Sequence, residues 1–353
     1  MRILFVSCQP LPPQFVGGLG ISIMDLSRSL VKQGNVVGIM AKLLPAGTIW
    51  IKNRVLAHAK RKPFPKALVD GIQVYLGWDV VGGLDEVTAE FLPDVVFYCG
   101  SGTHTLALAC SRAGDRLPSF FCVHDIGNLD SWRFLPGFPK VNWIFNSDFT
   151  AQKCSKVLGI VGQVIPPCID PKNYVTTTSR LEITFINPRP EKGGEVAVQL
   201  AGRLPDIPFA FVSAWNATDS AVIGLRERAR GLKNVRWLMA RSDIRAVYSR
   251  SRLIIVPSLV EETWGRVVTE GHFSGIPSVV REIGALPETL GPGGVAVLKD
   301  SDVEVWAETV DRVWRDRKLY ATLSEQSLVY SGRAEIRPEQ LALSMVALAV
   351  QAL

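Results

Sequence analysis

Short apolar runs alternate with segments of helical length along most of the chain. RILFVS at 2–7 reads as a strand, and ISIMDLSRSLVKQG at 21–34 carries apolar residues at helical spacing up to Gly34. VVGIMA (36–41), IQVYLG (72–77), PDVVFYC (93–99), SFFCVH (119–124) and WIFNS (143–147) predict further strands. A second series opens with EITFIN (182–187) and continues through FAFVSA (209–214), VRWLM (235–239), RLIIVPS (252–258) and PSVV (277–280). Strands without strict alternation, joined by helical segments, are the pattern of parallel sheets covered on both faces. Between the two series, VIPPCIDPKNYVTTTSR (164–180) is rich in Pro and Thr and lacks periodicity, so it predicts a linker. The expected organisation is α/β, with Rossmann-like, doubly wound domains at 1–170 and 171–335. PEQLALSMVALAVQAL (338–353) starts on Pro and is strongly apolar, which predicts that 336–353 is a helix packed on one of them. Two such domains place ligands at the carboxyl ends of their strands, in a cleft where the sheets face. Fold alone does not name a reaction.

Composition narrows the picture. The 353 residues are 47% apolar, enough to fill two cores. ILFVS (3–7) is too short for a signal segment, and no apolar run approaches membrane-spanning length, so a soluble, cytoplasmic protein is expected. The six cysteines (Cys8, Cys99, Cys110, Cys122, Cys154, Cys168) show neither C-x-x-C nor a Cys/His cluster, and read as small buried hydrophobes in a reducing compartment. Net charge is only +6, but KNRVLAHAKRKPFPK (52–66) holds Lys52, Arg54, Lys60, Arg61, Lys62 and Lys66 with no acid. That segment is either a solvated face or a contact with an acidic acceptor or the anionic inner face of a membrane. Nucleic acid is disfavoured, since Phe64 is the only aromatic among these charges.

Candidate chemistry concentrates in PSLVEETWGRVVTEGHFSGIPSVV (257–280). A strand ends at Pro257, a loop runs to Gly265, and a helix is expected from Arg266 to Ser274. This puts Glu262 in the loop and Glu270 one turn inside the helix. Backbone N–H groups of Trp264, Gly265, Arg266 and Val267 then face an open helix start, where a phosphate is welcome. A carboxylate beside a phosphate is misplaced unless it accepts from hydroxyls, as sugars and ribose supply. At the other end of the chain, Gly17, Gly18 and Gly20 lie between strand and helix, where backbone can approach a pyrophosphate. The dinucleotide spacing G-x-G-x-x-G is absent, which disfavours a nicotinamide site. FINPRPEKGG (185–194) offers Arg189 and Lys192 after a strand, and His124 closes the strand before Asp125. Asp300-Ser301-Asp302 spells D-x-D, but it precedes VEVWAETVDRVW, for which Asp302 is a helix N-cap, so no metal site is read there.

The 257–280 segment resembles family 4 of the retaining glycosyltransferases, whose mark is two glutamates separated by seven residues in a P-S-x-x-E-G-F-G-x-x-x-x-E-A context. Pro257, Ser258, Glu262, Trp264, Gly265 and Glu270 match. The additional Glu261, Thr263 for glycine, Trp264 for phenylalanine and Gly271 for alanine depart from it. Gly275, Pro277, Gly284, Pro287 and Glu288 match the family's continuation, and the likeness runs from Arg2 to about Gly294. The resemblance implies a GT-B architecture, with donor bound mainly by the C-terminal domain and acceptor by the N-terminal one. Glu262 would orient the donor sugar and Glu270 would hold the ribose. Residues 264–267, Gly17 and Gly18 would meet sugar and phosphates; Lys192 and Arg189 would grip the diphosphate, although their spacing is shorter than usual; and His124 would approach the sugar. It implies a nucleoside-diphosphate sugar as donor substrate, no cofactor, no metal, retention at the anomeric carbon and, with no nucleophile evident, front-face substitution. Two other readings stay open, a nucleotide-sugar epimerase and a non-catalytic nucleotide-sugar binder. Base, sugar and acceptor are not legible.

Overall fold

The computed structural model describes all residues except 13, 16, 45–54, 56–63, 65, 102–103, 115, 128, 134–140, 214–218, 240 and 242. In chain order the elements are β1 Arg2–Ser7, α1 Gly18–Lys32, β2 Val36–Lys42, β3 Lys66–Val69, β4 Ile72–Gly77, α2 Leu84–Phe91, β5 Val95–Ser101, α3 His104–Ala113, β6 Ser119–Asp125, β7 Asn142–Phe145, α4 Asp148–Leu158 and β8 Gly162–Val164. There follow β9 Glu182–Ile186, α5 Gly194–Arg203, β10 Phe209–Val212, α6 Ser220–Ala229, β11 Val235–Leu238, α7 Arg245–Tyr248, β12 Ser251–Val256, α8 Arg266–His272 and β13 Ser278–Arg281. The chain ends with α9 Leu286–Leu290, β14 Gly294–Val297, α10 Val303–Arg315, α11 Arg317–Ser331 and α12 Pro338–Ala352. They form two compact units, one of Met1–Ile169 with Ala334–Leu353 and one of Asp170–Arg333.

In the first unit eight strands run in the order β3-β4-β2-β1-β5-β6-β7-β8, parallel except for the β3–β4 pair. β1 is buried along nearly its whole length because both faces are covered. Its side chains alternate accordingly: Ile3 and Phe5 join Met24 and Leu30 of α1 and Met345 and Ala349 of α12. Leu4 and Val6 join Val87 and Phe91 of α2, Leu106 of α3 and Cys154 of α4. Phe5, Phe97 and Phe120 stack across three adjacent strands, with centroids 5.5 and 5.1 Å apart. α12 packs on α1, where Gln33 donates to the Glu339 carbonyl at 2.8 Å. All six cysteines are free thiols. Burial is the main force pushing the Cys8, Cys110 and Cys154 thiols up, to about 12 for Cys154.

The second unit has six parallel strands in the order β11-β10-β9-β12-β13-β14. Ile183 and Phe185 of β9 pack with Ala197 and Leu200 of α5 and Trp306 and Val310 of α10. Asp302 caps α10, accepting from the Val305 N–H at 3.1 Å.

Three strands were not foreseen. β3 is exposed at every residue, β8 is three residues long, and β14 follows the G-P-G-G turn, so none carries an apolar alternation. The helix expected through Ser274 stops at His272, because the Gly275 N–H bonds back to the His272 carbonyl and Ile276 to Gly271. Gly275 then turns the chain toward β13 at φ +63°. Of the basic segment, Lys52, Arg54, Lys60, Arg61 and Lys62 lie outside the described residues, while Lys66 pairs with Glu90 at 3.3 Å. No helix among the described residues is long and apolar enough to cross a membrane.

Candidate functional site

β9 is the first strand of its unit, and the chain leaves it toward β10 on one side while β12 lies on the other. The strand order reverses there, and the carboxyl ends of strands at such a reversal are where ligands bind in open α/β sheets. Lys192 comes from the loop after β9 and Glu262 from the loop after β12. Their charged atoms meet at 2.6 Å, with side chains 30% and 17% exposed. Two local features bring them together. The Leu259 N–H donates to the Glu191 carbonyl at 2.9 Å. Gly193 adopts φ +80°, and a Cβ there would stand 2.0 Å from the Pro257 oxygen, so only glycine lets the loops touch. Gly193→Ala is expected to cost about 1–3 kcal/mol in backbone strain alone, and to separate Lys192 from Glu262. Urea denaturation read beside activity would show both losses.

Glu262 is held in a particular way. Lys192 and the Ser258 hydroxyl (3.0 Å) both donate to Oε1, while Oε2 has no hydrogen bond from the described residues. The carboxylate is thus anchored by one oxygen and presents the other. The Glu262 carbonyl accepts from the Ala285 N–H at 2.7 Å, and Gly284 passes so close that a Cβ would meet that carbonyl at 2.4 Å.

Glu270 lies inside α8 and is nearly buried. Tyr248 donates to its Oε2 at 2.8 Å, Arg266 approaches Oε1 at 3.4 Å, and Arg266 also donates to the Tyr174 hydroxyl at 2.9 Å. Burial first, then the Glu270 charge, pushes the Tyr248 hydroxyl well above its usual range, so it stays a donor. Tyr248→Phe leaves a nearly buried carboxylate oxygen short of a donor, at about 1–3 kcal/mol; a stability loss below that range, measured in urea, would count against the network. Neither tyrosine carried a sequence signal, since both act across intervening elements.

The remaining expected residues are placed differently from one another. Arg189 does not join Lys192 and Glu262: it pairs with Glu191 and, at 3.0 Å, with Asp219, and the Glu191 contact is the first cause holding its guanidinium above the usual value. The Trp264 indole is 4% exposed and donates to the Thr269 hydroxyl at 3.1 Å, and its carbonyl accepts from Thr289. Its side chain therefore supports α8, whereas Gly265 opens that helix at φ +86° with no side-chain cap, followed by Arg266 and Val267. In the other unit Gly17 is the N-cap of α1 and Gly18 its first residue, again without a side-chain cap. Gly20 is pressed against Leu11 and Pro12, with a Cβ position 3.1 and 3.0 Å from their side chains. His124, near the end of β6, lines a largely apolar cavity with Cys99, Cys122, Ile144 and Met345, and Asp125 accepts from the Gly127 N–H at 2.9 Å. Among the described residues no group of three His, Cys, Asp or Glu side chains could hold a metal ion.

Comparison with known proteins bears on the fold and on residues 183–328. Residues 183–328 match the model of the family described as glycosyl transferases group 1. A D-inositol 3-phosphate glycosyltransferase of Corynebacterium glutamicum (strain R) is 26% identical over 155 residues, which is 40% of this chain and only 37% of that protein's length. Among solved structures, sucrose-phosphate synthase from Thermosynechococcus elongatus superposes with a TM-score of 0.81 at 15% identity, over 99% of this chain and 98% of that one. A glycosyltransferase from Rickettsia africae ESF-5 gives 0.78 at 15% identity, over 99% and 98%. Anabaena HepE, solved in complex with UDP-glucose, gives 0.75 at 18% identity over the whole of both chains. These likenesses establish the two-sheet GT-B fold. The match to the group 1 glycosyl transferases takes in Lys192, Glu262 and Glu270, within residues 183–328.

Proposed function

We propose that this protein is a retaining glycosyltransferase that moves a sugar from a nucleoside diphosphate to an acceptor hydroxyl without a metal or cofactor. The observation that carries this reading is the Lys192–Glu262 pair at the strand-order reversal, with Glu262 anchored through Oε1 and open at Oε2. Oε2 accepts a sugar hydroxyl, and Lys192, which has further protons to donate, neutralises the departing diphosphate. Glu270, fixed by Tyr248 and Arg266, accepts from the ribose, with backbone at 265–267 beside it. Gly17 and Gly18 at the start of α1 and His124 belong to the unit assigned to the acceptor. The HepE complex with UDP-glucose supports a nucleotide sugar as ligand of the same fold.

In front-face substitution the bond from the anomeric carbon to the diphosphate oxygen breaks as the acceptor oxygen bonds on the same face. The acceptor proton passes to the leaving phosphate oxygen. A thermal-shift screen of UDP-, GDP- and dTDP-sugars tests donor binding, and NMR of the product's anomeric configuration tests retention. Inversion, free epimer without transfer, or binding without turnover would each overturn the reading. So would loss of activity in EDTA for the metal-free part. Salt-sensitive binding to anionic vesicles would support an acceptor at a membrane face, and salt-insensitive binding would oppose it.

A further inference from the structure

Arg281 ends β13 at the same edge of the sheet as Pro257 and is 6% exposed. Its Nε–H donates to the Pro257 carbonyl at 3.4 Å, an Nη–H donates to the Lys299 carbonyl, and the guanidinium lies over the Trp306 ring, 5.4 Å from its centroid. Among the described residues it forms no ion pair with a carboxylate; Asp300 acts on it only through space. Carbonyl oxygens satisfy its donors without cancelling its charge. A buried guanidinium with no carboxylate partner is costly to desolvate, and two hydrogen bonds to carbonyls and one ring contact offset only part of that.

The peptide that Arg281 grips gives a reason to keep it. The Pro257 carbonyl is also the group against which Gly193 abuts, and Gly193 follows Lys192. Pro257 precedes Ser258, whose hydroxyl holds Glu262. Arg281 therefore touches a peptide of the β12 loop against which the β9 loop packs, and its charge lies in a low-dielectric setting where it is screened weakly. We infer that Arg281 is a positioning residue for a diphosphate ligand: it fixes the Pro257 peptide under Ser258 and Glu262, and its charge, in contact with no carboxylate among the described residues, draws the diphosphate to the Lys192 edge. This rests on the reading of the site given above and names the part of the ligand that Arg281 serves.

The test compares the full chain with Arg281→Met and Arg281→Lys, using inorganic pyrophosphate as the probe in calorimetry and recording Tm without ligand. The methionine variant is expected to lose some Tm, since the Pro257 and Lys299 carbonyls lose a donor, and to bind pyrophosphate about tenfold more weakly, with the lysine variant recovering most of that affinity. Should the methionine variant not fold, Arg281→Gln, which keeps a donor but no charge, carries the same comparison. Unchanged pyrophosphate affinity in the neutral variant, or no pyrophosphate binding by the parent protein, would overturn the inference. A parent that binds pyrophosphate through Arg281 yet transfers no sugar from any nucleoside diphosphate would overturn glycosyl transfer instead, and leave the role of Arg281 standing.

Discussion

Glu262→Gln is expected to lower turnover by about 10²-fold, the usual size for one preorganised polar group at a reacting centre, with Tm nearly unchanged. Glutamine keeps the shape and can still accept from Ser258 and Lys192 through its amide oxygen. It loses the negative charge that steadies a sugar carbon becoming positive, and it leaves Lys192 half-buried beside a neutral group. Lys192→Ala should cost a similar factor, and the two losses should not add, because each variant already removes one charge of the 2.6 Å ion pair. A double-mutant cycle on kcat, read beside Tm, checks this. Full activity in Glu262→Gln would remove the site assignment, and a parallel collapse of Tm would assign the pair to folding.

The second large effect concerns acid. His272 of α8 is fully buried, and neither ring nitrogen has a hydrogen-bond partner among the described residues. Burial first and the Arg333 charge second push its pKa down from 6.5 to about 3. The Gly293 backbone is near enough to oppose this slightly, but not in hydrogen-bonding geometry, so burial wins. Because the folded value is the lower one, the unfolded chain takes up the proton first as pH falls. The contribution is intact above about 6.5 and is lost progressively down to about 3. At about 1.4 kcal/mol per pKa unit, roughly 2 kcal/mol should be gone by about pH 5. His272→Leu removes both the titration and the unsatisfied nitrogens, so urea unfolding of that variant should vary less with pH across this window. An identical pH profile in parent and variant would show that other groups cause the acid lability.

The sequence was most legible where chemistry is local. Pro257, Ser258, Glu262, Gly265 and Glu270 lie in one short segment, so a motif could be read and its loop-then-helix form anticipated. The Lys192–Glu262 contact spans 70 positions and exists because β12, distant in sequence, pairs with β9 on the side opposite β10. No periodicity encodes that reversal. Arg189 was grouped with Lys192 by proximity in sequence, yet the turn between them sends its guanidinium to Asp219 on α6's cap. Tyr248, Tyr174 and Arg281 escaped for the same reason: each acts through a partner on another element. The edge strands failed on a different ground, since exposed strands need no apolar pattern.

The helix at the end of the chain has a consequence for how the protein can be taken apart. Ala342, Met345 and Ala349 help to fill one face of the first unit's core, although the second unit intervenes in sequence. A gene fragment ending near residue 169 would encode a sheet with bare apolar surface on the side of α1. The second unit is contiguous from 170 to 333 and can be excised with one cut at each end. The first would have to be spliced, its tail rejoined to its body through an artificial connection, before either half could be studied in isolation.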